Sequence, residues 1–428
     1  MVKAIRGILT AMFLAGALTA AASDDVSDSL SVFVPDSPAA PDSTSASESG
    51  SYVHRLEAEV IDGAVLHTNR FLEGYNPEVR TMNRYFTLKA KYAFMLPPGS
   101  EKARIYKGAY QGAGLAYHHL NPQIGNPVSL YLFQGATIAT LSRRLSFNYE
   151  WDFGVAYGWK SYAGGERPSN RVIGSKLTAY MDANLYLRWR LSPRWDANFG
   201  LTASHFSNGN TSLPNAGLNV ASLKFSLAYY FNRPETEPED GPLPTFQRHW
   251  STDVVLFGGW KRKGTETDYG SLVLPETFGV VGVNVNPMYN LNHWLNVGAS
   301  LDTYYDGSAN LIVDEKKQEA TEEKADEGVE QKSEFGSNVS KPAWYRQVTA
   351  GVSVRGEFVM PYFTINFGIG HNFINAGSGV FKGFYEILAL KVAVTRSTFI
   401  HIGYSLYDFQ YPNNLMLGVG YRFGSRRR

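Results

Sequence analysis

His205, Ser207 and Asn219 are the residues of this sequence whose types and spacing could do chemistry. A serine hydroxyl beside an imidazole is a nucleophile beside its base, and a third polar group can fix the imidazole tautomer. His205 and Ser207 are two apart, so on a strand they share a face. Asn219 comes from the strand that follows. Asn208, Gly209 and Asn210 continue directly from Ser207, and these residue types permit tight turns whose N–H groups could hold an oxyanion. The pattern predicts acyl transfer in which Ser207 attacks, His205 removes its proton and Asn219 orients the ring. A second reading is a polar strand end lying among lipid headgroups.

The element that must position them runs from Trp195 to Phe231 and reads as a β-hairpin around a loop rich in Asn, Gly, Ser and Pro. Trp195, Ala197, Phe199, Leu201 and Ala203 share one face, and His205 and Ser207 continue it in the same parity. Asp196, Asn198, Thr202 and Ser204 share the other. On the return strand Leu223, Phe225, Leu227, Tyr229 and Phe231 form the apolar face, preceded in register by Asn219 and Ala221. Polar groups therefore end an apolar face.

The same alternation recurs along the chain. From Leu145 to Trp159 every second residue is apolar and mostly aromatic, with Ser146, Asn148, Glu150 and Asp152 between them. Met181–Trp189 and Leu415–Phe423 repeat the pattern. Short connections near 141, 191, 360 and 396 alternate with longer polar ones near 67–82, 160–179, 264–275 and 307–343. Aromatic residues gather at strand ends. These features predict an all-β protein, an antiparallel up-and-down transmembrane β-barrel. About sixteen strands fit either one barrel or two of about eight. Counting from the N-terminus puts the 205–219 loop on the outer side and the His205 face on the barrel exterior.

Composition narrows the class. Aromatic residues make up 14% of the chain and the formal net charge is +1, which gives no electrostatic case for nucleic acid. Cys is absent, so no disulfide or thiolate metal site exists. No metal or cofactor is expected. Lys3 and Arg6 before an apolar run predict a signal peptide over 1–22, followed by a Ser/Asp/Pro-rich periplasmic linker over 23–50. A first barrel segment is expected over 51–232, a Pro/Glu-rich connector over 233–249, a second barrel segment over 250–423 and a basic tail over 424–428. The charged stretch within 307–343 reads as a surface loop. PRWDANFGLTASHFSNG (193–209) lines up faintly with NHWLNVGASLDTYYDGS (292–308), which reads either as a duplication whose second copy lacks the reactive residues or as the coincidental likeness of barrel strands.

HFSNGNTSLPNAGLN resembles the signature of the lipid A 3-O-deacylase (PagL-type) outer-membrane family, with His205, Ser207, Asn208, Pro214, Asn215 and Gly217 in register. The resemblance covers about 51–232. It implies an eight-stranded barrel with its site on the lipid-facing exterior, His205 as base, Ser207 as nucleophile, and Asn208 with the following backbone around the oxyanion. It also implies lipid A, within lipopolysaccharide, as substrate and the bacterial outer membrane as location. The family's acid falls on Asn219, which can hold a neutral imidazole but cannot stabilise imidazolium by charge. The competing function is a porin-like channel or surface barrel with a vestigial site.

Other histidines fit packing better than chemistry. His118 and His119 are adjacent on a strand and point to opposite faces, so they cannot share a metal. His371 is expected in the lumen or at the rim, and His401 in the lumen.

Overall fold

The structure, a computed structural model, describes residues 51–162, 170, 172–234, 242–267, 270–315, 337–376, 381–408 and 411–424. The expected signal peptide and linker, residues 235–241 of the connector, the charged run 316–336 and residues 425–428 of the tail lie outside the described residues. Strands β1 (Val53–Leu66), β2 (Arg84–Met95), β3 (Tyr110–His119), β4 (Val128–Ser142), β5 (Leu145–Tyr157), β6 (Leu177–Arg190), β7 (Trp195–Ser207) and β8 (Leu218–Tyr230) pair antiparallel in sequence order, and β8 returns to β1. A second ring holds β9 (His249–Thr267), β10 (Gly270–Asn290) and β11 (Leu295–Asp306). After the small hairpin β12 (Ile312–Glu315) and β13 (Ser337–Ser340), it continues through β14 (Val348–Val359), β15 (Phe363–Asn372), β16 (Phe384–Ala393), β17 (Thr398–Tyr407) and β18 (Tyr411–Phe423). β18 closes on β9. The strands thus form two closed barrels of eight, the arrangement in which every ladder is satisfied and no sheet edge meets lipid.

Parity decides which face is which. On β7, Phe199 and Leu201 are 55% and 63% exposed, whereas Asn198 and Thr202 are 1% and 4% exposed. The apolar face is therefore the exterior and the polar face the lumen, the pattern of a membrane-spanning barrel. At the lower rims, exposed Trp189, Trp195, Phe231, Trp250, Tyr421 and Phe423 form aromatic belts.

The first lumen is filled. Lys89 Nζ lies 2.7 Å from Asp152 and 2.6 Å from Asp182, Lys91 bridges Glu59 and Glu150 at 2.8 Å each, and Lys224 reaches Glu59 at 2.9 Å. Reciprocal pairing of this kind is what makes buried charge tolerable, since an unpaired partner would carry the full desolvation cost. Above it an aromatic layer of Tyr85, Tyr131, Tyr180 and Phe206 is capped by Phe71 and Leu72 from the one-turn helix Arg70–Glu73. His118 sits in this layer, bonded to Tyr85, Thr87 and Ser129, and His119 is exposed on the other face. The second lumen carries its own network, with Lys391 and Arg422 on Asp253 and Arg355 on Asp302. His401 is buried inside that lumen.

Three expectations are corrected or narrowed. Residues 264–275 are not a polar loop: β9 and β10 continue pairing up to Thr267 and Gly270, with a register shift between Val273 and Thr277. The hairpin rises past the apolar band, so its ladder persists where apolar alternation has stopped. Of the two places expected for His371, the lumen is excluded: it lies near the end of β15, exposed on the outer face and edge-on to Phe384 at 5.5 Å. The 193–209/292–308 alignment matches β7, seventh in its barrel, with β11, third in its own, so those strands are not equivalent in order.

The barrels touch along one side. Outward-facing Tyr149 and Trp151 of β5 are buried, unlike Phe199 and Leu201 of β7, because β14 to β16 pack against them. Trp151 meets Phe363 edge-on at 5.1 Å, Tyr52 and Tyr362 place their hydroxyls 3.3 Å apart, and Trp294 Nε1 donates to the Ile105 carbonyl at 2.8 Å.

Candidate active site

The head of the β7–β8 hairpin brings the three sequence candidates to one outward corner of the first barrel. His205 pairs in register with Asn219, and Ser207 follows on the same face at the end of β7. Unlike the outward residues below them, His205 and Asn219 are each only 1% exposed. His205 Nδ1 lies 2.6 Å from Asn219 Oδ1. A carbonyl oxygen only accepts, so Nδ1 carries the proton and Nε2 keeps its lone pair. No hydrogen bond joins Nε2 to Ser207 among the described residues. Catalytic hydrogen bonds are often loose before substrate binds.

Gly217 explains part of the burial. It has φ +73°, and a Cβ built on it would stand 3.1 Å from His205 Cε1 and 3.2 Å from the Phe206 carbonyl oxygen. Only a residue without a side chain lets the backbone close over the imidazole there. Its N–H donates to the Val172 carbonyl at 3.1 Å, which ties the site loop to the preceding long loop.

The loop after Ser207 is held by its own polar residues. The Asn208 N–H donates to Asn215 Oδ1 at 3.1 Å, and Asn208 Nδ2 donates to the Ser212 carbonyl at 2.8 Å. Ser212 Oγ in turn donates to the Gly174 carbonyl at 2.8 Å. The Asn208 backbone N–H and one Nδ2 hydrogen are thus engaged within the loop. Gly209 (φ +61°) and Asn210 (φ +63°) follow in the left-handed region, and the Gly209 N–H donates to no described group. Of the three residues expected around an oxyanion, Gly209 carries a backbone N–H that no described group accepts.

Sequence reasoning assigned no role to two residues of the second barrel that reach this loop. The Arg262 N–H of β9 donates to the Asn210 carbonyl at 3.0 Å. The Tyr404 ring of β17 stands against Gly209, where a Cβ would lie 3.0 Å from Cε2. No local motif could have announced either contact, because both cross between barrels. Asn215 and Gly217 were visible as motif matches, but their tasks emerge only from the geometry.

A closed, lipid-faced antiparallel barrel with a buried imidazole–amide pair beside a serine on its exterior defines an outer-membrane barrel protein with an enzyme-like site. Residues 85–228 match the family model described as lipid A 3-O-deacylase (PagL), and residues 250–426 match the one described as acyloxyacyl hydrolase, C-terminal domain. Together these matches span both barrels, and the chain belongs to the lipid A 3-O-deacylase/acyloxyacyl hydrolase family. No curated protein matches it. Among solved structures, the outer membrane enzyme PagL is 15% identical, with a TM-score of 0.28, over 40% of this chain and 97% of that chain. Neisserial surface protein A is 9% identical, with a TM-score of 0.28, over 42% and 97%. A deletion mutant of the TodX monoaromatic hydrocarbon channel is 10% identical, with a TM-score of 0.17, over 88% and 90%.

Proposed function

We propose that the chain is an outer-membrane serine esterase that removes an ester-linked acyl chain of lipid A, at the 3-O position, in the outer leaflet. The observation that carries this reading is the His205–Asn219 bond on the outward side of the barrel, one strand step from Ser207. Family membership supplies the substrate class. An exterior site at the loop end of the strands lets a lipid approach sideways, with its headgroup at the rim and its chains along the apolar wall.

Ser207 Oγ attacks the ester carbonyl carbon while His205 Nε2 takes its proton. The oxygen of the tetrahedral adduct gains negative charge, and the Gly209 N–H is the nearby backbone donor suited to it. The C–O bond to the sugar breaks as His205 returns the proton to the departing hydroxyl. Water, deprotonated by His205, then attacks the acyl-serine, and as the bond to Ser207 Oγ breaks His205 returns that proton to Oγ and the fatty acid leaves. Asn219 keeps Nε2 basic throughout by holding the proton on Nδ1. The ion pairs and aromatic layer that fill the first lumen favour this reading over a channel through that barrel.

The test is mass spectrometry of lipid A from cells bearing wild type, Ser207→Ala or His205→Ala at equal outer-membrane levels. Loss of one hydroxyacyl mass in wild type alone is expected. Unchanged lipid A in all three would remove lipid A deacylation from consideration in that host.

A further inference from the structure

Directly beneath the candidate site, on the same outward face, a cavity of about 310 Å³ opens between the barrels. It is of the size that holds a small ligand. Ala183, Leu201, Ala203 and Ala221 line it from the first barrel, and Phe358 and Ile365 line it from the second. Ala183, Ala203 and Ala221 stand side by side across β6, β7 and β8. The His205–Asn219 pair occupies the next outward row, two residues along each strand, or about 7 Å away. Between larger outward neighbours such as Leu201 and Leu223, the alanines leave a trough. The outward faces of β14 and β15 roof it with Phe358 and Ile365, which would otherwise face lipid.

We propose that this inter-barrel cleft receives the acyl chain of the ester under attack, and that Phe358 and Ile365 of the second barrel set which chain lengths fit. The inference rests on the esterase reading for the identity of its occupant. Position decides that occupant: the cleft begins one outward row below the His205–Asn219 pair and lies along the membrane-spanning strands, the direction a chain takes once its carbonyl reaches Ser207. Leu201 lies six residues below Ser207 on β7, a span of about 20 Å. A chain moving from bilayer to cleft exchanges one apolar environment for another, so selection comes from packing rather than dehydration. A wall of fixed side chains discriminates by length where a fluid bilayer does not.

Two variants on the second barrel test this without touching the site: Ile365→Trp, which fills the cleft, and Phe358→Ala, which enlarges it. Purified protein in detergent is assayed on a series of p-nitrophenyl esters from short to long chain, with Ser207→Ala as control. Ile365→Trp should lower kcat/KM for the longest ester by about tenfold or more, the scale on which a pocket senses a misfitting group. It should leave the shortest ester unchanged. Phe358→Ala should move the optimum to longer chains. An unaltered length profile in both variants, with Ser207-dependent hydrolysis intact, overturns the cleft and leaves the esterase standing. Absence of Ser207-dependent hydrolysis in wild type would instead strike the esterase reading. Photolabelling with a fatty acid bearing a terminal diazirine is read independently of activity. Labels concentrated on β14 and β15 and suppressed by Ile365→Trp support the cleft, and labels spread evenly around both barrels refute it.

Discussion

Replacing Asn219 with Ala isolates one interaction. The Asn219 side chain makes a single hydrogen bond, from His205 Nδ1 to its Oδ1 at 2.6 Å, and its Nδ2 is buried without a partner. Truncation therefore removes that bond and little else. In the resting enzyme the loss frees the imidazole to carry its proton on either nitrogen, which by itself costs a small factor in the reactive tautomer. The larger effect comes in the transition state, where the ring becomes imidazolium and the bond becomes charge-assisted. Hydrogen bonds to charged groups contribute about 1.5–3 kcal/mol, so kcat should fall about ten- to a hundredfold. A triad built on a carboxylate loses about ten-thousandfold on Asp→Asn exchange, because the amide there holds the wrong imidazole tautomer, whereas Asn219 presents its oxygen to Nδ1 and holds the reactive one. KM should stay near its wild-type value, because Asn219 faces the imidazole rather than the lipid.

The assay is steady-state hydrolysis of a lipid A or ester substrate in detergent, with Ser207→Ala as the floor and circular dichroism and heat-modifiability as checks on the barrel. Full retention of kcat in Asn219→Ala, while Ser207→Ala and His205→Ala are inactive, would show that the His205 tautomer is fixed by something other than Asn219. A fall to the Ser207→Ala floor would show that the amide's orienting role is far larger than one hydrogen bond.

Gly217→Ala should cost about 1–2 kcal/mol of stability for a side chain in the left-handed region. It should cost more in rate, about a hundredfold, if the imidazole is pushed aside on the ångström scale; wild-type turnover with normal heat-modifiability would refute the packing argument. Tyr404→Ala, on the second barrel, should lower kcat several-fold by loosening Gly209, and Tyr404→Phe should restore it because the ring makes the contact. Equal loss in both would assign the effect to the hydroxyl instead.

The parts of this molecule that were readable in its sequence are those that a strand's own period encodes. The alternation from Leu145 onward gives β5 and its two faces, and the parity of His205 and Asn219 puts both on the exterior, because a one-residue slip of either strand would turn its apolar face into the lumen. The 264–275 segment defeats the same reasoning, since pairing above the apolar band needs backbone hydrogen bonds and no apolar alternation. His371 stays between lumen and rim on sequence alone, because a polar residue on the outer face near the rim satisfies itself with headgroup or water, so polarity alone does not mean lumen.

What could not be read is the meeting of the barrels. An outward Trp, Phe or Ile looks the same whether it faces lipid or another protein, because both surroundings are apolar and the strand period is identical. Trp151, Phe358 and Ile365 are therefore indistinguishable in sequence from Phe199 or Leu201, yet the first three are covered or roof a cleft and the last two are open to lipid. Closure removes the hydrogen-bonding edge of each barrel, so strand pairing cannot join them, and contact is left to packing of exterior side chains. The Arg262–Asn210 hydrogen bond and the Tyr404–Gly209 contact then have a consequence that packing alone would not. They fix the second barrel against the loop that follows Ser207, so that its outer wall stands beside the candidate site at the top and roofs the alanine trough below. On this geometry the second barrel need carry no reactive residue of its own to matter to catalysis. Its contribution is a surface, held in place at both ends.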